Sequence, residues 1–293
     1  MIHGFNLENC IFIDINNFNN QMNFINLNYN NNNLNIHIQD NITIEKPIYL
    51  FNNQSNCDLN IIINSGNNSK FTIIDHKQNQ NNITKVICNN HSMVDYYLIQ
   101  CNDNSRIQVE QNFNSNFTTK LLANNYTNNI LQLEINLLEP NANTELNILQ
   151  NTKQTSNHCI DLLINHLTVG SSSCTLARST ANDQSNAELN GKIIVHKSAT
   201  KTHADLQSKS LILSKQASIT SCPELLIDNN NVICTHGSSI GNLDTNALFY
   251  MQARGISLED ATQILLQAFL QPILKKIKYQ EIIDYLELHN NCN

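Results

Sequence analysis

This sequence is short of charge. Only 14% of its 293 residues are Asp, Glu, Lys or Arg, the formal net charge is -7, and no lysine or arginine cluster is present. A chain without basic clusters has nothing to displace counterions from phosphates, which excludes nucleic acid as a partner. No C-x-x-C pair occurs, and the nine cysteines form an odd, scattered set. They read as reduced thiols rather than a disulfide framework or a zinc module. The opening phrase MIHGFNLENCIFIDINNF has no basic region, and Asp14 breaks its apolar run. That supports neither a signal peptide nor a membrane span, so a reducing, cytoplasmic setting is expected. G-x-S-x-G, Walker A and H-E-x-x-H are also missing, which removes the commonest hydrolase, nucleotide and zinc-protease classes.

What remains is apolar residues, 41% of the chain, set among asparagine. A chain of this length allows one large domain, or one domain with a small appendage. Apolar residues alternate at Leu34, Ile36 and Ile38, at Ile42 and Ile44, at Leu59, Ile61 and Ile63, and from Leu131 to Leu137. The pattern returns at Leu146 and Ile148, at residues 192–196, at 225–228 and at 231–236. A period of two is strand, and almost no helical pattern interrupts it before residue 244. Asparagine tolerates left-handed corners and forms amide ladders between stacked coils, which favours a parallel β-solenoid over a β-sandwich. Genomic base composition explains the asparagine equally well. The expected organisation is an Asn-rich segment of poor order at 1–30, a β-helix core at 31–243 and a helical segment at 244–293.

The tail changes character. Asp244 is placed to cap a helix through TNALFYMQAR, with Gly255 as its left-handed end. Ser257 and Asp260 open a second helix, on which Leu258, Ala261, Ile264, Leu265, Ala268 and Phe269 form an apolar stripe. Pro272 should kink or end it, and a further amphipathic piece runs from Ile273 to Leu288.

Cys234 and His236, in NVICTHGSSIG, are two residues apart on a strand and therefore share a face, roughly 6.5 to 7 Å apart. Thiolate and imidazole suit iron and zinc, but a protein metal centre needs three or four ligands. Taken alone the residues favour a buried cysteine beside an incidental histidine. His196 and His203 fall on opposite strand faces, as do Cys88 and His91 unless a turn separates them. Asp205, Asp228 and Asp244 lie near strand ends, where turns and caps are the default.

Taken in order, the phrases of the C-terminal half resemble the SufB/SufD family of iron-sulfur cluster assembly scaffold proteins. The resemblance rests on Gly191, on Ala199, Thr202, Asp205 and Gln207, on the strand from Leu211 to Ser214 and on Pro223 to Ile227. It continues through Cys234, His236 and Gly237, Leu243 and Asp244, Ala247 to Tyr250, and Arg254 to Ile256. It covers residues 160–270 well, and the earlier chain only through its strand pattern and phrases such as KPIYL at 46–50. Gly237 after the histidine points to the SufD side, because SufB-like chains carry a glutamate-histidine-glutamate-alanine phrase there.

The resemblance implies a right-handed parallel β-helix with a C-terminal α-helical segment, acting as a non-catalytic scaffold. It implies pairing with a SufB-like subunit through the β-helix and with a SufC-like ATPase through the helices, and it allows a homodimer of the isolated chain. A nascent iron-sulfur cluster or iron shared with SufB would be held transiently, with no tightly bound cofactor, and His236 with Cys234 would be the metal-site residues. Plastid stroma replaces cytoplasm if the source bears plastids. Two features depart from the family: most of its N-terminal helical domain is missing, and Asn230-Asn231 replaces a frequent aspartate pair. The expectation from a different class is a β-helix polysaccharide-processing enzyme with carboxylates in a lateral groove.

Overall fold

The computed structural model describes residues 10–14, 24–30, 32–51, 59–78, 82–101, 104–125 and 128–290. Among them the strands are β1 (Ile11–Asp14), β2 (Ile25–Asn30), β3 (Asn33–Ile38), β4 (Ile48–Phe51), β5 (Asn60–Asn64) and β6 (Lys70–Gln78). Then come β7 (Asn82–Cys88), β8 (Met93–Cys101), β9 (Ser105–Gln111), β10 (Asn116–Asn125), β11 (Asn129–Leu137) and β12 (Asn143–Thr152). The last six are β13 (Asn157–His166), β14 (Ser172–Ala181), β15 (Asn186–Val195), β16 (His203–Ile212), β17 (Ser218–Ile227) and β18 (Ile233–Asn242). From β4 onward successive strands alternate between two sheets, the first ordered β1-β4-β6 and on by even numbers to β18, the second running from β2 and β3 through the odd strands to β17. Among the described strand pairs only β2–β3 is antiparallel. The chain is thus a mainly β, parallel solenoid with one strand per sheet in each coil. Stacked positions lie 23 residues apart at His91 and Asn114, and 32 apart at Asn186 and Ser218.

Alternation builds the core. In β11 Leu131, Leu133, Ile135 and Leu137 face inward and are buried, whereas Ile130 and Gln132 are exposed. Each such burial contributes about 1.5 to 3 kcal/mol, and one cluster continues from Ile13 to Leu206. The corners explain the asparagine. Asn41, Asn68, Asn114 and Asn141 adopt left-handed φ of 58, 53, 53 and 59°. Their amides and those of neighbouring columns stack: Asn68 Nδ2 donates to Asn41 Oδ1 at 2.9 Å, and Asn165 Nδ2 to Asn136 Oδ1 at 2.7 Å.

Two expectations need adjusting. The solenoid starts before residue 31, because Ile11 and Ile13 in β1, and Ile25 and Leu27 in β2, pack on the core. Residues 1–9 and 15–23 of that Asn-rich segment lie outside the described residues. Ile42 and Ile44 form no strand; Thr43 makes a single bridge to Lys70.

The tail forms α1 (Thr245–Gln252), α2 (Leu258–Leu274) and α3 (Gln280–Asn290). Asp244 Oδ1 accepts from the N–H groups of Asn246 and Ala247, and Gly255 has φ of 85°. Ser257 Oγ accepts from Asp260 N–H at 3.0 Å. Pro272 stands inside α2, two residues before its end. The buried stripe differs from the expected one: Ala261, Leu270 and Ile273 are buried, whereas Leu258 and Ile264 are exposed. The outer face of the first sheet decides this. Tyr97, Ile99, Leu122 and Leu149 turn outward there and pack against Leu270, Ile273, Ile282 and Leu286.

Candidate functional site

The last coil has no successor among the described residues, so β17 and β18 each keep one unpaired edge. In β18, Cys234 lies opposite Ala204 and His236 opposite Leu206. Ala204 and Leu206 belong to the buried core, so Cys234 and His236 face the lumen of the solenoid, on one face as their spacing predicts. Their surroundings differ. Cys234 is half-buried against the core, while His236 is exposed where a further coil would have covered it. Burial pushes the Cys234 thiol above its usual range, and a backbone hydrogen bond at Ala204 only partly offsets this. Metal binding there must displace a proton.

No cluster of three or more His, Cys, Asp or Glu side chains converges on a metal-sized space among the described residues. Cys234 and His236 by themselves offer two donor side chains, fewer than the three or four a protein metal centre needs. The same last coil exposes apolar residues on both faces: Ile227 and Ile240 toward the lumen, Leu226 and Ile233 on the outside. The sequence concealed this exposure, because alternating apolar residues in a final coil look the same as those in a covered one.

The other candidates separate from the pair. Cys88 is sealed in the core and His91 occupies a corner with φ of 58°, so a turn does separate them. His196 holds a corner, its N–H donating to His166 O, while His203 is exposed at the start of β16. Asp244 caps α1, Asp228 donates its N–H to Val195 O in a turn, and Asp205 lies on the outer face beside β18. Among the described residues Cys10, Cys88, Cys159, Cys174, Cys222 and Cys234 are free thiols.

A lateral groove of about 510 Å³ crosses the second sheet, lined by Arg106, Glu134, Asp161, Asn190, Lys192 and Glu224. Here a polysaccharide-processing solenoid would need a protonated carboxyl. Glu134 is held below the usual range by hydrogen bonds from Asn136 and Gln108 and by the Arg106 charge, despite some burial, which is the wrong direction for a general acid.

The architecture is that of a parallel β-solenoid with an open last coil and a helical tail. The chain belongs to the family described as SUF system FeS cluster assembly, SufBD core domain, which matches residues 50–269. An iron-sulfur cluster assembly SufBD family protein of Synechocystis is 35% identical over 102 residues, 35% of this chain and 22% of that protein. The chloroplastic protein ABCI7 of Arabidopsis thaliana is 35% identical over 109 residues, 37% of this chain and 23% of the relative. The iron-sulfur cluster assembly protein SufD of Escherichia coli is 31% identical over 103 residues, 35% and 24% of the two chains. The matched stretches thus span about a quarter of these relatives. No helix among the described residues is long and apolar enough to cross a membrane.

Proposed function

We propose that this chain is a SufD-type, non-catalytic scaffold subunit that pairs with a SufB-like subunit at its open last coil and with a SufC-like ATPase through its C-terminal helices. The observation that carries the pairing is the placement of Cys234 and His236 on the lumen face of a coil with free edges and exposed apolar flanks. A partner that continues the sheets would satisfy the edge groups, bury the apolar flanks and bring the missing donors. The nascent iron-sulfur cluster is cargo here, held between subunits before transfer, with His236 as the principal ligand and Cys234 its neighbour. Phe249, Tyr250, Leu258 and Ile264 remain exposed on α1 and α2, an apolar surface suited to the ATPase. Free thiols on the described cysteines suit a reducing compartment, cytoplasm or plastid stroma.

The test is His236→Ala, reconstituted anaerobically with SufB-like and SufC-like subunits. The expected outcome is an intact complex by size-exclusion chromatography with loss of cluster absorbance. An intact complex with undiminished cluster yield overturns the assignment of His236.

A further inference from the structure

β18 has a neighbour on one side only, yet its outer face is pinned. Thr235 and Gly237, which flank His236, are the ladder partners of Asp205 and Gln207. Asp205 Oδ1 accepts from the Thr235 hydroxyl at 2.5 Å and from Gln207 Nε2 at 2.9 Å. The carboxamide of Gln207 lies directly over Gly237: a Cβ built there would be 2.6 Å from Gln207 Oε1. No side chain fits at 237 while Gln207 holds this position. A second slot lies across the lumen. A Cβ on Gly191 would be 2.6 Å from Leu206 Cδ1, and Leu206 is the ladder partner of His236. Gly191 thus leaves room for the Leu206 side chain to reach the second sheet.

We propose that Asp205 and Gln207 are positioning residues for His236. They grip Thr235 and Gly237 from outside, fix the pleat of an otherwise loose edge strand, and so present the imidazole to the open lumen. An edge strand held through one ladder alone opens more readily than an interior one, because half of its backbone groups lack protein partners. The alternation of β18 carries the consequence through: fixing residues 235 and 237 on the outer face fixes 236 on the inner one. This inference rests on the assignment of His236 as a cluster ligand, but the grip itself is measurable without any cluster.

The experiment compares Gly237→Ala, Gln207→Ala, the double variant, Asp205→Ala and Asp205→Asn. Two readouts are taken: amide hydrogen exchange of β18 with the His236 ring resonance in the free full-length chain, and the cobalt(II) absorption spectrum of the complex reconstituted with SufB-like and SufC-like subunits. Asp205→Ala and Gln207→Ala should speed β18 exchange by about tenfold, shift the His236 resonance and alter the cobalt spectrum. Asp205→Asn keeps an acceptor oxygen and should behave as the natural chain. Gly237→Ala meets only the far end of the flexible Gln207 side chain and should displace that carboxamide, with an effect no larger than that of Gln207→Ala. Adding Gln207→Ala removes its clash, so the double variant should match Gln207→Ala alone.

Unchanged β18 exchange and an unchanged His236 resonance in both Asp205→Ala and Gln207→Ala overturn the proposal. If these variants loosen β18 while neither they nor His236→Ala alter the cobalt spectrum, the grip stands and the ligand assignment of His236 fails.

Discussion

A thiol and an imidazole two positions apart on β18 face the same lumen, but only the thiol is enclosed. That difference sets an order of reactivity. Cys222 is exposed, Cys234 is half-buried with its thiol pushed up by desolvation, and Cys88 is sealed with its thiol raised further. Alkylation with iodoacetamide followed by peptide mass spectrometry should label Cys222 first, Cys234 more slowly and Cys88 only on unfolding. Labelling of Cys234 at the rate of Cys222 would contradict its placement. Corner asparagines make a second residue-scale case. Asn68 has φ of 53° and donates to Asn41 Oδ1. Asn68→Ala should cost about 2 kcal/mol in urea unfolding, from the left-handed backbone and the lost ladder bond, and Asn68→Gly about 1 kcal/mol, from the bond alone. Asparagine's suitability for these corners was legible from composition and turn chemistry. Which asparagines stack was not, because coil length varies and only the register decides it.

At the scale of elements, the helical tail is fastened to the first sheet by a shared carboxylate. Asp95 accepts from Lys120 of β10, whose side chain is only 3% exposed, and from Lys278 in the α2–α3 turn, whose side chain is 65% exposed. Burial pushes the Lys120 ammonium down from its usual range, against the pull of Asp95. Replacing Asp95 by alanine strands that cation and should cost about 3 to 5 kcal/mol. Lys278→Ala removes a largely solvated partner and should cost no more than about 1 kcal/mol by the same urea titration. Equal effects would argue against a buried Lys120–Asp95 pair. The caps at Asp244 and Ser257 could be read from sequence, since they depend on neighbours three residues away. The buried stripe of α2 could not, because it answers to Tyr97, Leu122 and Leu149 on a surface formed by coils more than a hundred residues earlier. β14 also escaped the alternation pattern. Its inward residues are Ser173, Thr175, Ala177, Ser179 and Ala181, small and mostly polar, so a hydrophobic period never appears.

At the scale of the whole molecule, the polar lining of these later coils gives stability a pH dependence. His158 and His166 are 1% and 0% exposed. Gln150 Nε2 donates to His158 Nδ1, while Ser171 and Ser173 hydroxyls hold the two nitrogens of His166. Burial lowers their pKa values to about 3 and about 4. The unfolded chain therefore binds more protons than the folded one below about pH 6.5, and stability falls as pH falls from there to about 4 for His166 and about 3 for His158. At pH 5 each histidine should lose about 2 kcal/mol relative to neutral pH. Urea titrations from pH 7 to 5 should show this slope, and His158→Leu should lessen it. An unchanged slope in that variant would mean that His158 is not buried neutral. The sequence by itself determined most of the strands, the suitability of asparagine for the corners, the helix caps and the shared face of Cys234 and His236, because each depends on local alternation or on neighbours a few positions away. Only the tertiary structure decided that the coil carrying this pair is the last one, that Cys234 is half-covered and His236 open, and that the tail lies on the first sheet. Those outcomes depend on which strands find partners across offsets of 23 to 37 residues, a nonlocal matter that no short window of sequence records.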